Sequence, residues 1–158
     1  MRVPPVLDVY VWVEDADRAD ALSHFIERYV DTENPGDPRF GAFCRVFVTG
    51  ERTAQDLAAL EELQRGDRAT TAFSLYLRAR THHEAIITVT EEDALVLGLG
   101  LDDPSNSPET LRSASLLMNT LREEFTALAG VAGVELPPPQ TRAEWREDGL
   151  VQLREGRL

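Results

Sequence analysis

The sequence predicts an α+β domain built on a single mixed or antiparallel sheet of about five strands, with three helices mainly on one face. Residues 7–13 alternate in the manner of a strand, and three later segments repeat apolar residues at helical spacing. The strict alternation of strand and helix ends after the second helix, which argues against a doubly wound parallel sheet. The predicted order is β-α-β-α-β-β-β-α, followed by a proline-rich tail.

The first half of the chain predicts two strands and a helix. Residues 7–13 are β-branched and aromatic, and Asp15 or Asp17 can cap the helix that follows them. That helix keeps its apolar spacing as far as Val30. Residues 40–49 are predicted as the second strand, with Gly50 closing it.

The second half predicts two helices and three strands. Thr53 caps a helix that carries a leucine stripe and stops at Gly66. A strand over 72–80 is followed by a hairpin of residues 84–90 and 94–101. The run Ser107-Pro108-Glu109 starts the longest helix, because serine caps, proline fits the first position and an acid suits the first turn.

The chain of 158 residues fits one domain, predicted as residues 1–158. Residues 131–158 contain three consecutive prolines, Trp145 and a short apolar stretch at 150–153. This segment is too short for a second domain. It is therefore predicted to be a tail that wraps the first one.

The charge of the chain excludes some classes of partner. A formal net charge of −12 repels phosphate backbones and anionic membrane surfaces, so neither nucleic acid nor membrane is expected to bind. The same charge would attract a basic protein. The single cysteine leaves no internal disulfide, and no apolar run approaches the length of a membrane span, so the expected location is the cytoplasm.

No spacing in the chain matches a motif for catalysis, nucleotide binding or metal binding. Gly98 and Gly100 form a G-x-G that lacks the third glycine of a dinucleotide-binding turn. His82 and His83 are adjacent, so in a strand they point to opposite faces and cannot chelate together. Cys44 is expected to be an inert small hydrophobe. The sequence therefore predicts no catalytic residue, no cofactor and no metal ligand.

Strand alternation sorts the predicted sheet into two faces. One face is aliphatic and is expected to form the core beneath the helices. The other combines aromatic residues with arginines, a composition enriched at binding surfaces. This aromatic–arginine face comprises Tyr10, Trp12, Phe43, Arg45, Phe47, Tyr76, Arg78 and Arg80.

Three interpretations of the aromatic–arginine face stay open at this point. The tail folds over it, two copies of the chain pair through it, or it forms a surface for another protein or a small molecule. The first function hypothesis is a binding module that associates stoichiometrically with a protein, by analogy with small acidic immunity or antitoxin proteins. The second is a site for a planar or anionic small molecule, in a binding protein or a small enzyme.

Overall fold

The computed structural model describes residues 5–14, 17–64, 71–102 and 107–158, and these form an α+β fold on one antiparallel sheet. The predicted fold class is thus confirmed, with six strands in place of about five. Their order across the sheet is β2-β3-β4-β1-β5-β6. The strands are β1 (Val6–Val13), β2 (Phe73–Leu77), β3 (Ala85–Val89), β4 (Leu95–Asp102), β5 (Ala129–Val134) and β6 (Leu153–Gly156).

Five helices accompany the sheet in the described residues. They are α1 (Arg18–Tyr29), α2 (Phe40–Phe47), α3 (Ala54–Glu61), α4 (Pro108–Phe125) and α5 (Arg142–Glu147). Side chains cap α1, α3 and α4 as their sequences predict, because Asp17, Thr53 and Ser107 each accept a hydrogen bond from the backbone three residues ahead. The other predicted cap, Asp15, and the predicted stop at Gly66 lie outside the described residues.

The prediction of a strand over residues 40–49 is wrong, because this segment folds as α2. The backbone N–H of Phe43 donates to the carbonyl of Arg39 at 3.0 Å, and that of Val48 to Cys44 at 2.9 Å, which is the bonding of a helix. Its apolar residues fit both periods: alternation joins Cys44, Val46 and Val48, whereas helical spacing joins Phe40, Phe43 and Phe47. In the helix the buried ring of Phe43 meets those of Phe47 and Phe73, and this tertiary packing selects the helix.

The last predicted helix ends earlier than Gly130, and a strand follows it. Helix α4 stops at Phe125, where Thr126 takes a left-handed conformation with φ of 51°. Residues 129–134 then form β5, which pairs with β1. The segment 131–158, expected as a tail, therefore supplies sheet residues as well as a covering segment. That residues 1–158 make one domain stays a prediction.

Strand β1 lies near the middle of the sheet, paired with β4 on one side and β5 on the other. All eight of its residues are buried. Its odd-numbered side chains, such as Val9 and Val11, enter the larger core beneath α1 to α4, so we call this the helix face. Tyr10 and Trp12 enter a second, smaller core on the opposite side. The aliphatic side predicted for the strands now seen as β1, β2 and β4 is thus the helix face, whereas its members Cys44, Val46 and Val48 belong to α2 and its C-cap.

The second core is closed by residues 135–152, which join β5 to β6 and which we call the crossing segment. Leu136 and Trp145 of this segment are buried against Tyr10, Trp12 and residues of β3, β4 and β5. We call the side of the sheet beneath it the crossing face. Helix α5 lies within the segment, so the helices occupy both sides of the sheet, with four of the five on the helix face.

Gly98 is needed beneath the ring of Tyr10, its partner across the β1–β4 pair. A Cβ atom at Gly98 would overlap the Cδ1 and Cε1 atoms of that ring. We expect Gly98→Ala to lower the free energy of unfolding by about 1–3 kcal/mol, because the buried ring must move. Urea titration followed by circular dichroism measures the change. Gly149→Ala, where an added Cβ meets nothing within 4 Å, is the matched control and should change little.

Candidate functional site

Two residues of the aromatic–arginine face, Tyr10 and Trp12, lie beneath the crossing segment. The Tyr10 hydroxyl donates a hydrogen bond of 2.6 Å to the carbonyl of Leu136, and burial raises the pKa of Tyr10, which keeps it a donor. The ring of Trp12 meets that of Trp145 edge-on at 5.4 Å. Three interpretations of this face were open: a covering tail, a pairing of two copies, and a binding surface. For Tyr10 and Trp12 the structure agrees with the first, because residues of the expected tail cover them.

Three other predicted residues, Phe43, Arg45 and Phe47, lie on α2 and do not share that face. Their placement on the sheet is wrong, because it rested on the incorrect strand over 40–49. Phe43 is fully buried in the core of the helix face. The Arg45 guanidinium donates to both carboxylate oxygens of Asp56, at 2.7 and 2.9 Å, and this pairing lowers the pKa of Asp56. Arg45 therefore ties α2 to α3.

The remaining three predicted residues form an exposed strip along β2 and the residues after it. Tyr76 is 50% exposed, and Arg78 and Arg80 point outward with it. The backbone of the strip is fixed, since Arg78 N–H donates to the carbonyl of Pro35 and Arg80 N–H to that of Tyr29. We call Tyr76, Arg78 and Arg80 the β2 strip. The eight predicted residues are thus divided among three places.

A cleft of about 420 Å³ opens between α2, α3 and the ends of β2 and β3. Its lining combines apolar side chains from two helices and the sheet with polar and charged side chains. Phe47 is the one residue of the aromatic–arginine face that lines it. The lining residues are Arg18, Phe47, Arg52, Leu57, Leu60, Glu61, Gln64, Thr71, Phe73, Val89 and Asp93.

Two arginines stand at this cleft. The guanidinium of Arg18 lies over the ring of Phe47, 5.4 Å from its centroid, and donates to the carbonyl of Asp93 at 3.0 Å. The carboxylate of Asp93 is 3.6 Å from Arg18 and 82% exposed, so water screens this ion pair. Arg52 is exposed and has no ion pair with another described residue. The cleft therefore presents cationic groups beside an apolar wall.

Glu124 is the centre of a second polar cluster, between α1 and α4. Its carboxylate accepts from the Tyr29 hydroxyl and lies 2.6 Å from Nε2 of His24 and 3.4 Å from Nε of Arg28. Burial, and then the hydrogen bond to Glu124, raise the pKa of Tyr29 to about 12. A pocket of about 200 Å³ adjoins His24 and Glu124. The cluster joins α1 to α4 through His24 and Glu124, which are 100 residues apart in the sequence.

Asp8 is the one acidic residue of β1, and it is buried with an exposure of 6%. Burial, followed by the nearby charges of Glu84 and Glu135, raises its pKa to about 7. Burial also raises the pKa of Glu84. Asp8 is not among the site residues predicted from the sequence, although a carboxylate inside an otherwise apolar strand is a signal for a special environment.

The histidines and the cysteine stand apart from these sites. His83 Nδ1 lies 2.7 Å from Asp102, and burial lowers the pKa of His82. Burial raises the pKa of the Cys44 thiol, an effect that neighbouring Arg45 opposes. No group of three or more histidine, cysteine or acidic side chains in the described part of the chain could hold a metal ion. None of the described helices has the length and apolar character to cross a membrane.

Comparison with protein-family models, with curated proteins and with solved structures finds no match for this chain.

Replacing Glu124 with glutamine should weaken the junction of α1 and α4. A glutamine removes the charge that strengthens the bonds from Tyr29 and His24, so we expect the free energy of unfolding to fall by about 1–3 kcal/mol. Glu123→Gln changes the same charge at an exposed neighbour and should have little effect. Absorbance titration of the tyrosines gives a second measurement, because the pKa of Tyr29 should drop towards its usual value. An unchanged Tyr29 titration in Glu124→Gln would show that the junction does not depend on this carboxylate.

Proposed function

We propose that this chain is a binding protein whose cleft takes a small amphipathic anion with a planar or elongated apolar body. The observation that supports this most is the position of Arg18, whose guanidinium lies over the ring of Phe47 where both residues line the cleft. A ligand in that position would contact hydrocarbon on one side and a guanidinium on the other.

The dimensions of the cleft suit a small molecule. Ligand pockets measure roughly 300–1,000 Å³ and are mostly apolar with a few placed polar groups. The cleft has about 420 Å³, and its apolar wall is formed by Phe47, Leu57, Leu60, Phe73 and Val89. Burial of a ligand's apolar body against this wall would supply the larger part of the binding free energy.

The charges at the rim favour an anionic ligand. Arg52 is exposed and lines the cleft, so a ligand carboxylate, sulfonate or phosphate can pair with its guanidinium. Arg18 is shared with Asp93, but the 3.6 Å pair is exposed and an anion can compete for it. The acidic lining residue Glu61 is exposed, where water screens its charge.

The experiment measures binding of anilinonaphthalene sulfonate, a planar aromatic anion, against its uncharged relative N-phenylnaphthylamine. We expect the anion to bind the folded protein, and Arg52→Ala to raise its Kd about tenfold by removing a charge-assisted contact. The uncharged probe should bind the wild type and Arg52→Ala alike. Fluorescence titration gives both constants.

Two controls separate cleft binding from general adhesion. Arg112→Ala removes an exposed arginine of α4 and changes the net charge by the same amount as Arg52→Ala. It should leave both Kd values unchanged. Leu57→Trp fills the cleft and should abolish binding of both probes. Equal weakening of the anion by Arg52→Ala and Arg112→Ala would contradict the proposal, and so would undiminished binding to Leu57→Trp.

A second candidate function is stoichiometric association with a protein, as in immunity and antitoxin proteins, or with a second copy of the chain. The β2 strip favours it, because Tyr76 is half exposed on an edge strand of the sheet and the exposed Arg78 and Arg80 follow directly after that strand. The net charge of −12 would add attraction to a basic partner. We propose the cytoplasm as the site of either function, since the single cysteine leaves no internal disulfide.

If the protein associates through the β2 strip, the sedimenting species should have a larger mass than a single chain. We expect sedimentation of the wild type, alone or with a basic partner, to show a complex that Tyr76→Ser weakens by about tenfold or more, as for an aromatic anchor. Leu116→Ser removes an exposed apolar residue of α4 and should leave association unchanged. A complex that survives Tyr76→Ser with unaltered affinity would exclude the strip as its interface.

A further inference from the structure

The carboxyl group of Asp8 lies in a gap on the crossing face. Asp8 pairs with Gly100 of β4 on one side and Gly133 of β5 on the other, and neither neighbour has a side chain. Its Oδ1 atom would be 3.3 Å from a Cβ at Gly100, and the carbonyl of Leu150 fills the space where a Cβ at Gly133 would lie. Oδ1 is shielded from solvent and has no hydrogen-bond partner among the described residues.

The same carboxyl group faces the start of the crossing segment. It interacts with the backbone N–H of Leu136, which lowers the pKa of Asp8 by less than burial and the neighbouring charges raise it, and the carbonyl of Leu136 accepts from the Tyr10 hydroxyl at 2.6 Å. Leu136 therefore meets two side chains of β1. Glu135, in a left-handed conformation with φ of 50°, adds a hydrogen bond from its backbone N–H to the carbonyl of Val6. We call the contacts of Asp8 and Tyr10 with Leu136 the latch.

The charges that face Asp8 oppose its ionisation. Glu84 precedes β3 and Glu135 follows β5, and both raise the pKa of Asp8 in addition to burial. His83, whose Cβ is 3.6 Å from where a Cβ at Gly100 would lie, is a basic residue beside this gap, and it pairs with the carboxylate of Asp102. Two arginines of the same face have other partners, since Arg142 pairs with Glu14 and Arg154 donates to the carbonyl of Trp145. From β1 itself the neighbour is the uncharged Tyr10. An ionised Asp8 in this position is a buried carboxylate among like charges, with one oxygen unpartnered.

We propose that the latch is sensitive to pH: a protonated Asp8 keeps the crossing segment on the sheet, and its ionisation releases the segment and uncovers Tyr10 and Trp12. In the released state the carboxylate reaches water, so ionisation no longer carries the penalty of burial. Release exposes an aromatic and aliphatic surface that the closed form hides. The latch is independent of the cleft and adds a conformational step to either proposed function.

The direction of the effect follows from proton binding. In the closed form the pKa of Asp8 is about 7, whereas in the released form it approaches the ordinary value of 3.8. Between these values the closed form binds more protons, so raising the pH favours release and lowering it favours closure. The opening constant should rise about tenfold per pH unit up to about pH 7 and then level off. From about pH 5 to about pH 8 the total is roughly a hundredfold.

Hydrogen exchange read by mass spectrometry on the full chain tests the latch. We expect protection factors, which correct for the pH dependence of intrinsic exchange, to fall by about fiftyfold to a hundredfold over residues 135–152 between about pH 5 and about pH 8. Residues 85–101, which belong to β3 and β4, should keep their protection. Acrylamide quenching of the two tryptophans, Trp12 and Trp145, should increase over the same range.

Asp8→Asn is the decisive variant, since asparagine keeps an acceptor for Leu136 and cannot ionise. It should hold protection over 135–152 constant with pH, whereas Asp102→Asn, which changes an exposed carboxyl of β4, should keep the wild-type response. The proposal is overturned if the wild type shows no pH dependence in 135–152, or if Asp8→Asn retains it. An equal loss of protection in 135–152 and 85–101 would also overturn it, because that describes global destabilisation.

Discussion

The burial of β1 on both faces is the constraint on which the rest of the structure depends. A strand paired on both edges, with eight buried residues, leaves no side of itself to water, so each face of the sheet needs a cover. Helices α1 to α4 cover the odd-numbered side chains. The even-numbered ones include Tyr10 and Trp12, whose hydroxyl and indole groups need polar partners when they are buried.

Those polar partners explain the form of the second cover. The crossing segment satisfies Tyr10 with the carbonyl of Leu136, while the Trp12 indole N–H donates to Glu14 at 3.0 Å. Glycines make room for this layer, since Gly98 lies under the ring of Tyr10 and Gly133 under the carbonyl of Leu150. An irregular segment can therefore approach the sheet closely enough to exclude water. A helix laid on side chains of ordinary size would stand farther from β1.

Local sequence signals predicted the parts of the fold that local physics determines. The caps Asp17, Thr53 and Ser107 satisfy backbone donors within three residues, so they act wherever the helix is placed. The hairpin of β3 and β4 likewise depends on its own alternation. Residues 40–47 were misassigned because their apolar positions fit two periods, and only packing of Phe43 against Phe73 and other distant residues decides between them.

Strand β5 could not be predicted from its own residues, because its formation also depends on residues that are distant in the sequence. The sequence Ala-Gly-Val-Ala-Gly-Val has little strand propensity in its glycines and alanines, and Met118 of α4 fills the space over Gly130. The strand exists because β1 needs a partner on that edge and because its small residues let two layers approach. Its signal is therefore in residues far away along the chain.

In the candidate sites too, the sequence indicated the types of residue involved, whereas their positions depend on the fold. The sequence predicted that aromatic residues and arginines share one face of the sheet. The structure instead places arginines over aromatic rings at separate positions, Arg18 over Phe47 and Arg142 over Trp12. Composition sets how many such pairs are available, whereas the pairs that form depend on which segments the sheet brings together. Arg18 bonds to Asp93, 75 residues away, and that distance along the chain is closed only once β1 and β4 are paired. The cleft and the latch are therefore both consequences of the central strand: one lies beside its helix cover, and the other lies between β1 and its second cover.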